Sequence, residues 1–557
     1  MRLGHSFFIV ASLAMAQTPV ASTNAGISGI VKDKTTGTPM KDYVVSTYVN
    51  AVWANGGITM SPTSKQVTST TDEHGAYKLN DLPPAQYHVM ARSAQGFGGG
   101  LTRIVTVAGH DIEGIDFKAT AAGSITGKVV DENKDPVPGM SVVLVSREYY
   151  LGTVGYYLGG FGAVTDDRGE YTISRAEAGH AYFVMAEMRP KALAGHSETP
   201  LNPKMRKRVP MRTWYPGAPS KDGAAPIVLR PGERREGIDI EVKKSASYCV
   251  DGILSTANGP GALNFTYEGL QPSSGVSTRG GSFMGTPRGT AAPNGEFRVC
   301  DLYPGSYRFT VSDPLAGPQQ DGGYTITNIV IADQDLHDVR IATLPGLSME
   351  AEAVLEGVQP QTPLTTKASV TLRPLFRTQV PGERLGGRPD IPGTVTLSGL
   401  LMDDYTVRAT VNAPGLYIKD VTYGGRSVLY EPFRLGSAVA GTGLRVAVGQ
   451  DGAALTAIVT DKDGAPVADS TVIAMPAGTP SEGVLAARIV SGQTDQLGQY
   501  VFEPLGPGTY YVVATEDAYD MTLESIGKLW QSHLRYQKVE LAARGVIKVG
   551  LQVVSIR

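Results

Sequence analysis

Two short strings in this sequence have residue types and spacings that could support catalysis. His110-Asp-Ile-Glu113 has the His-x-x-Glu spacing of two zinc ligands in a carboxypeptidase site, which also needs a distant third His. The same register of a later repeat holds Glu233-Arg-Arg-Glu236, and the eight histidines are scattered singly. The string is therefore interpreted as part of a hairpin rather than as a metal site.

The second string, Ser525-Ile-Gly-Lys528, has the Ser-x-x-Lys spacing of penicillin-recognising enzymes. Its companion motifs Ser-Asp-Asn and Lys-Thr-Gly are missing from the sequence, so it is interpreted as the polar face of a short helix. The acidic run Asp131-Glu-Asn-Lys-Asp135 lacks the later Gly and the bidentate Glu of a calcium loop. The sequence predicts no catalytic residue, no cofactor and no metal ligand.

Aromatic residues are concentrated between Tyr149 and Phe161, although they make up only 7% of the chain. Aromatic rings can stack on the C–H faces of sugars, and intervening glycines let a loop approach a ligand closely. The candidate ligand-binding residues are Tyr149, Tyr150, Tyr156, Tyr157, Phe161, Trp214, Tyr215 and Trp53. The alternative is a long hairpin in which alternate Tyr side chains pack across the strands.

The two cysteines, Cys249 and Cys300, stand at strand positions where other repeats have polar residues. In an exported protein this pair predicts a disulfide that closes a loop of about 50 residues. The alternative, a redox-active pair, lacks CxxC spacing and flanking basic residues that would lower a thiol pKa.

Composition and the N-terminus limit the class of protein. The chain has 557 residues and a net charge of −3, so it has no basic field for a nucleic-acid partner. Residues 1–16 combine Arg2, a short apolar run and a small-residue cleavage site ending at Ala16, which predicts a signal peptide and export. No later stretch is long and apolar enough to predict a transmembrane helix.

The elements that must position these residues come from a repeat. A turn with Asp or Asn and Gly leads into an aromatic residue and an alternating strand, as in Thr-Asp-x-x-Gly-x-Tyr. A Pro/Gly turn and a second strand that begins near a Tyr follow, which predicts a repeated antiparallel hairpin. Copies lie at 71–77, 165–171, 294–297 and 494–500, with a degraded copy ending at Tyr405. Asp and Gly favour the turn, and the alternation of apolar and polar residues predicts half-buried strands.

The opening Gly-x-Val-x-Asp strand, the Thr-Asp turn and the Leu-x-Pro-Gly-x-Tyr hairpin together resemble the carboxypeptidase regulatory-like domain. The resemblance covers nearly the whole chain after residue 16 and is weakest in the fourth repeat. It implies a transthyretin-like β-sandwich, grouped with carbohydrate-binding-like folds, and a domain that is not itself a catalyst.

The sequence therefore predicts an all-β fold, a tandem array of about five transthyretin-like or Ig-like β-sandwich modules with minimal helix. The predicted ranges are 24–120 (module 1), 121–245 (module 2, with an extended loop at 189–212), 246–344 (module 3), 345–449 (a divergent module 4) and 450–557 (module 5, with a short helix near 523–535). The short connections between modules predict a stiff rod or arc.

The predicted function is non-enzymatic binding or spacing at the cell envelope, in the periplasm, at the outer surface or outside the cell. Carbohydrate is the favoured ligand because of the aromatic segment and the fold resemblance. Two alternatives stay open. One is a structural or adhesion scaffold that binds an envelope protein through a sheet edge. The other is an envelope hydrolase with an unrecognised site.

Overall fold

A computed structural model describes residues 24–54, 57–93, 101–150, 152–188, 207–270, 276–277, 288–313, 323–357, 366–375, 384–413, 415–436, 443–502, 504–516 and 521–556. These residues form an all-β array with a separate hydrophobic core in each of the five predicted module ranges. Each core lies between facing sheets, which confirms the predicted fold class. Among the described residues, no helix combines the length and the apolar character needed to cross a bilayer.

The first two modules contain the long hairpin that carries most of the aromatic candidates. The strands of module 1 are β1 (Ala25–Asp33), β2 (Tyr43–Val49), β3 (Val52–Ala54), β4 (Gly57–Thr59), β5 (Lys65–Thr70), β6 (Ala76–Leu82), β7 (Ala85–Ser93), β8 (Leu101–Val107) and β9 (Phe117–Ala119). Those of module 2 and its exit are β10 (Gly123–Asp131), β11 (Met140–Tyr150), β12 (Thr153–Val164), β13 (Glu170–Ala176), β14 (Ala181–Met188), β15 (Arg208–Pro210), β16 (Thr213–Trp214), β17 (Ile227–Val228), β18 (Arg234–Arg235), β19 (Ile240–Val242) and β20 (Lys244–Ala246).

The remaining modules follow the same plan. The strands of module 3 and its exit are β21 (Tyr248–Thr256), β22 (Gly259–Pro260), β23 (Asn264–Leu270), β24 (Val276–Ser277), β25 (Arg288–Thr290), β26 (Glu296–Leu302), β27 (Gly305–Ser312), β28 (Gly323–Ile331), β29 (Leu336–Ala342) and β30 (Leu344–Pro345). Those of module 4 are β31 (Leu347–Glu356), β32 (Ala368–Pro374), β33 (Gly386–Gly387), β34 (Gly393–Leu400), β35 (Asp404–Val411), β36 (Tyr417–Tyr423), β37 (Arg426–Ser427), β38 (Phe433–Arg434) and β39 (Leu444–Gly449). Module 5 has β40 (Ala454–Thr460), β41 (Thr471–Pro476), α1 (Glu482–Arg488), β42 (Val490–Gln493), β43 (Gln499–Val501), β44 (Gly508–Thr515), α2 (Leu523–Ser532), β45 (Gln537–Leu541) and β46 (Val546–Gln552).

Every module is organised around its first strand. That strand pairs antiparallel with the strand after the Asp turn and parallel with a late strand of the same module. The pairs are β1 with β6 and β9, β10 with β13 and β19, β21 with β26 and β29, β31 with β34 and β39, and β40 with β43 and β46. The second sheet of each sandwich holds the strand that begins near the second Tyr of the repeat, as β7 with Tyr87 does in the order β5-β2-β7-β8. The prediction that the two strands after the Asp turn pair as a hairpin is therefore wrong: β6 pairs with β1 and β7 pairs with β2 and β8, because the Pro/Gly turn carries the chain from one sheet to the other.

The Thr-Asp turn of the repeat is held by its own side chains. In module 2, the Thr165 hydroxyl donates to Val137 O at 2.7 Å and accepts from Met140 N at 2.9 Å. The Asp166 carboxylate accepts hydrogen bonds from two backbone N–H groups downstream. The same bonds recur at Thr71, Asp72, Thr494 and Asp495. The motif therefore satisfies its buried polar groups locally, which fixes where the strand after each turn starts.

The glycine of the first strand is required by the close approach of a later backbone carbonyl. A Cβ on Gly127 would lie 1.9 Å from Ile238 O, and one on Gly29 would lie 2.0 Å from Ile115 O. Gly127 stands opposite Tyr171, whose hydroxyl donates to the same Ile238 O at 2.6 Å. Gly127 and Tyr171 thus act on the same carbonyl: the glycine leaves room for Ile238 O, and the Tyr hydroxyl hydrogen-bonds to it.

In modules 2 and 5, additional segments of the chain pack on the outer face of the larger sheet, which contains β11 and β14 in module 2 and β41 and β44 in module 5. In module 5, α1 and α2 pack over Ile473, Met475 and Val513. The sequence predicted a helix near 523–535, which is present as α2 followed by a 3-10 turn at His533–Arg535. It did not predict α1, because seven residues are too short to show a helical periodicity.

Cys249 and Cys300 form a disulfide, which confirms the prediction made from their positions. They join the antiparallel neighbours β21 and β26 at an irregular point of the pairing. The bond therefore fastens the first strand of module 3 to its motif strand.

Candidate functional site

The two strings with catalytic spacing are engaged in structural contacts. His110 and Glu113 are exposed, and the intervening Asp111 accepts a hydrogen bond from Gly26 N at 2.6 Å. Lys528 forms an ion pair with Glu524 at 2.9 Å. Within the described part of the chain, no three His, Cys, Asp or Glu side chains come together as metal ligands.

The aromatic segment forms the paired strands β11 and β12, and the end of this hairpin docks on module 5. Tyr149 is only 8% exposed and lies in one apolar cluster with Ala486 of α1 and Ile526 of α2. Its hydroxyl donates to the Glu482 carboxylate at 3.1 Å, and its backbone N–H donates to Met521 O at 2.7 Å. Burial raises the pKa of Tyr149, and the bond to Glu482 adds to that effect. These five residues define the module 2–5 joint.

The other described tyrosines of the hairpin also face protein. Tyr157 is 7% exposed. Tyr156 is half-buried, with the Lys221 ammonium 4.3 Å from its ring centroid and Phe183 beside it at 6.1 Å. A cation above the ring occupies the surface that a sugar would stack on. The Tyr156 environment is therefore that of a packed side chain.

Trp214 is a core residue. It is 2% exposed and packs with Val143, Val145 and Met185 on the outer face of the large sheet of module 2. Tyr215 follows it, is half-buried, and precedes a cis peptide bond to Pro216. The segment after the extended loop thus serves as the cover of this sheet.

Three candidate side chains, those of Trp53, Tyr150 and Phe161, lie outside what the structure describes, although their backbones belong to β3, β11 and β12. The signal peptide (1–16) and most of the extended loop (189–206) also lie outside the described residues. Ligand binding by the eight aromatic candidates stays a prediction. Of the five described side chains, Tyr156 and Trp214 lie in one apolar cluster, and Tyr149 lies in another.

The described end of the extended loop braces the junction between modules 2 and 3. Its strand β15 pairs with β20, which leads from module 2 into module 3. Arg212 binds the Glu187 carboxylate through Nε and Nη2, both at 2.7 Å. Lys207 reaches Asp301 of module 3 at 2.8 Å. The loop therefore stiffens a connection that the sequence showed only to be short.

The sequence did not predict that module 1 and module 5 touch. The side-chain amide of Gln496 accepts from Thr106 N at 3.2 Å and donates to Thr106 O at 2.9 Å. It thus continues the sheet beyond the edge strand β8. The Thr106 hydroxyl also donates to Asp495 at 3.3 Å, and Arg103 Nε lies 2.5 Å from Asp469 Oδ1. These five residues define the module 1–5 joint.

The charged pair in this joint joins a buried Arg103 to an Asp469 whose side chain is 37% exposed. Arg103 is 8% exposed and also donates to Asp116 O at 2.7 Å. Burial raises the pKa of Asp469, although the Arg103 charge opposes that shift. A partly buried pair of this kind fixes orientation more than it adds stability, because the desolvation of Arg103 offsets much of the attraction.

The two joints bend the array back on itself. Module 5 contacts module 1 and module 2, and Tyr430 O of module 4 faces Gly152 at the end of the module 2 hairpin. The arrangement departs from the predicted stiff rod or arc because the linkers fix only neighbouring modules. The contacts that close the array come from a long hairpin, two helices and one turn.

A small polar cleft opens at module 1, with a volume of about 380 Å³. It is lined by residues of the edge strands β5 and β6, with Asn24 at its side. Asn24 donates to Asp81 at 2.6 Å, and Asp81 has a left-handed backbone. No motif in the sequence marks this place.

No family model and no curated protein matches the chain. Among solved structures, a streptococcal ancillary pilin is 12% identical over 57% of this chain and 98% of its own, with a TM-score of 0.19. The RrgB pilus protein of Streptococcus pneumoniae is 9% identical over 79% and 99%, with a TM-score of 0.15. Two B repeat units of the Staphylococcus aureus collagen-binding protein are 12% identical over 72% and 94%, with a TM-score of 0.13. TM-scores this low carry no inference about module arrangement or activity.

The strand pairing and the separate hydrophobic cores show a repeat of β-sandwich modules. The finer resemblance to the carboxypeptidase regulatory-like domain has no matching family model and stays a prediction.

Proposed function

We propose that this protein is an exported, non-enzymatic scaffold whose five modules are locked into one body that presents fixed surfaces to a protein partner. The observation that carries the proposal is the docking of the aromatic hairpin. In the sequence, this aromatic segment is the strongest candidate for a ligand site. In the structure it joins module 2 to module 5 through contacts of Tyr149 with Glu482 and Met521.

Other contacts support the same function. The module 1–5 joint ties the first module to the last, and the β15–β20 brace supports the junction of modules 2 and 3. Trp214, a candidate residue for a sugar site, is buried against the outer face of the module 2 sheet. Rigid placement of modules suits a partner that must meet surfaces at a fixed separation, because less ordering entropy is lost on binding.

The proposal is tested against carbohydrate binding. The protein comprising residues 17–557 is applied to a panel of soluble and insoluble polysaccharides, with Tyr156→Ala and a matched surface variant, Val154→Ala, alongside. Val154 is 42% exposed in the same hairpin. We expect no retention on any glycan. Retention that Tyr156→Ala abolishes in a folded protein, while Val154→Ala keeps it, would overturn the scaffold proposal in favour of a carbohydrate-binding array.

A further inference from the structure

The three-stranded sheet of module 5 has an outer face unlike those of the other four modules. Leu455 and Ala457 of β40 point into the core, so Thr456 and Ile458 point outward. Thr456 is paired with Val501 of β43 on one side and with Lys548 of β46 on the other. Val546 lies on the same face, paired with Ala454. We call the outward residues of these three strands the apolar face, namely Ala454, Thr456, Ile458, Val501, Val546 and Lys548. Val501 is 58% exposed and Val546 is 77% exposed, so no described part of the chain covers them.

The repeat supplies an internal comparison for this face. Val501 directly follows the motif aromatic Tyr500, which stands opposite Ala457 of the first strand. The residues that follow the motif aromatic in modules 1, 2 and 3 are Lys78, Thr172 and Arg298. Only module 5 has an apolar side chain at this position among these four, so the substitution is specific to one module.

Charge pairing on the corresponding faces shows the same contrast. Modules 1, 2 and 4 carry ion pairs across the strands of this sheet or to the segment beside it, and module 3 has a hydrogen bond between His337 Nδ1 and the Asp251 carboxylate at 2.9 Å. The ion pairs are Lys78–Asp111 at 3.3 Å, Lys128–Glu170 at 2.9 Å and Arg445–Glu356 at 3.2 Å. Lys548 of module 5 is exposed and has no acidic partner among the described residues. The apolar face therefore combines exposed apolar side chains with one uncompensated positive charge.

The size of the face limits what can cover it. Three strands spaced by about 4.8 Å, and three outward positions about 7 Å apart along β40 and β46, give an area of about 10 Å by 14 Å. A stable dimer needs about 800 Å² on each partner, which is several times more. Self-association through this face would also bring Lys548 of two copies close together, which is unfavourable. A short segment of another protein fits the area and the charge better than a second copy does.

We propose that the apolar face of module 5 binds a short protein segment that carries apolar side chains next to an Asp or Glu carboxylate. The apolar side chains cover Val501 and Val546, and the carboxylate pairs with the Lys548 ammonium. Gly550 continues the face beside Ile458 and leaves open space above its backbone, which gives the segment room to lie flat. This inference rests on the proposed scaffold function and names the class of partner.

The test uses a library of random 12-residue peptides displayed on phage, selected on residues 17–557. We expect enriched peptides that combine alternating apolar residues with Asp or Glu. A synthetic peptide of the consensus sequence should lose at least tenfold in affinity for Val501→Lys and for Lys548→Glu, measured by fluorescence anisotropy. Selection on Lys548→Glu should return peptides with Lys or Arg instead. The matched control is Thr172→Lys, at the same position of module 2, which should bind like the original protein.

Several outcomes would overturn this inference. They are a failure to enrich any peptide, enriched peptides without acidic residues, and equal binding to all variants. A dimer in sedimentation that Val501→Lys dissociates would replace the short segment by a second copy. If Val501→Lys fails to fold, Lys548→Glu alone decides, because it changes only an exposed charge. None of these outcomes depends on glycan retention, which tests the scaffold function separately.

Discussion

At the scale of single residues, the Gly and the Tyr of the repeat are explained by the close approach of a backbone carbonyl rather than by ligand binding or catalysis. Gly127 and Tyr171 stand opposite each other, and both face Ile238 O, at 1.9 Å from a hypothetical Cβ and 2.6 Å from the Tyr hydroxyl. The Gly leaves the space that the carbonyl occupies, and the Tyr provides its hydrogen bond. A motif of this kind marks a folding requirement and gives no information about a ligand.

The first prediction concerns Gly127→Ala. The new methyl group would meet the backbone of Ile238, which cannot move without breaking the pairing of β10 and β19. We expect module 2 to lose about 3 kcal/mol or more of its free energy of unfolding. Hydrogen exchange of the β10 peptide in the full chain measures this loss.

The control for that prediction is Gly261→Ala, because nothing lies within 4 Å of a Cβ built there. It should change the free energy of unfolding by less than about 0.5 kcal/mol. If both variants exchange alike, the close approach of Ile238 does not limit the residue at position 127.

The second prediction is a pH dependence at His88 of β7. Burial lowers the pKa of His88 to about 4. A His in the unfolded chain has a pKa near 6.5, so the unfolded state binds the proton first. The contribution of neutral His88 is complete above about pH 6.5 and is lost as the pH falls towards 4. NMR of histidine labelled with ¹³C should show a resonance that stays neutral at pH 5 and is absent from His88→Gln. Titration of that resonance near 6.5 would contradict this interpretation.

At the scale of elements, the β11–β12 hairpin shows how a sequence pattern can mislead about function. Aromatic residues separated by glycines are typical of binding surfaces and also of hairpins whose side chains pack across the strands. Tyr149 belongs to the second class because α1 and α2 of a module far along the chain cover it. Local sequence could predict the hairpin, the β-sandwiches, α2 and the disulfide, since turn chemistry and alternation are local. It could not predict the joints, which depend on residues several hundred positions apart.

The third prediction concerns Tyr149→Ala. Removing the ring leaves a cavity between the hairpin and the two helices, and Glu482 loses the Tyr hydroxyl as a donor. We expect the module 2–5 joint to weaken by about 2–4 kcal/mol. Hydrogen exchange in the peptides of α1 and α2 should become faster.

Val154→Ala is the matched variant for this prediction, since Val154 is 42% exposed on the same hairpin. Its exchange in α1 and α2 should equal that of the original protein. Unchanged exchange in Tyr149→Ala would mean that the hairpin does not hold the helices.

At the scale of the whole molecule, one turn of module 5 closes the array onto module 1. The Gln496 side chain makes two hydrogen bonds to the backbone of Thr106, so it acts like one more residue of a neighbouring strand. The same turn in module 2 has the exposed Asp167 at this position. The turn is therefore a general feature of the repeat, and its docking is specific to module 5.

The fourth prediction follows from that contact. Gln496→Ala should speed hydrogen exchange at the Thr106 amide, because that N–H loses its acceptor and becomes part of an open sheet edge. The control Asp167→Ala should leave exchange in β8 unchanged. Equal protection of Thr106 in both variants would show that Gln496 does not close the array.

The central claim is that the five modules form one closed body. Small-angle X-ray scattering of residues 17–557 tests it directly. A compact chain of this length has a radius of gyration of about 24 Å, whereas an extended row of five modules has one on the order of 50 Å. We predict a value below about 30 Å that does not change with protein concentration. A value near that of the extended row would contradict both joints and the scaffold that rests on them.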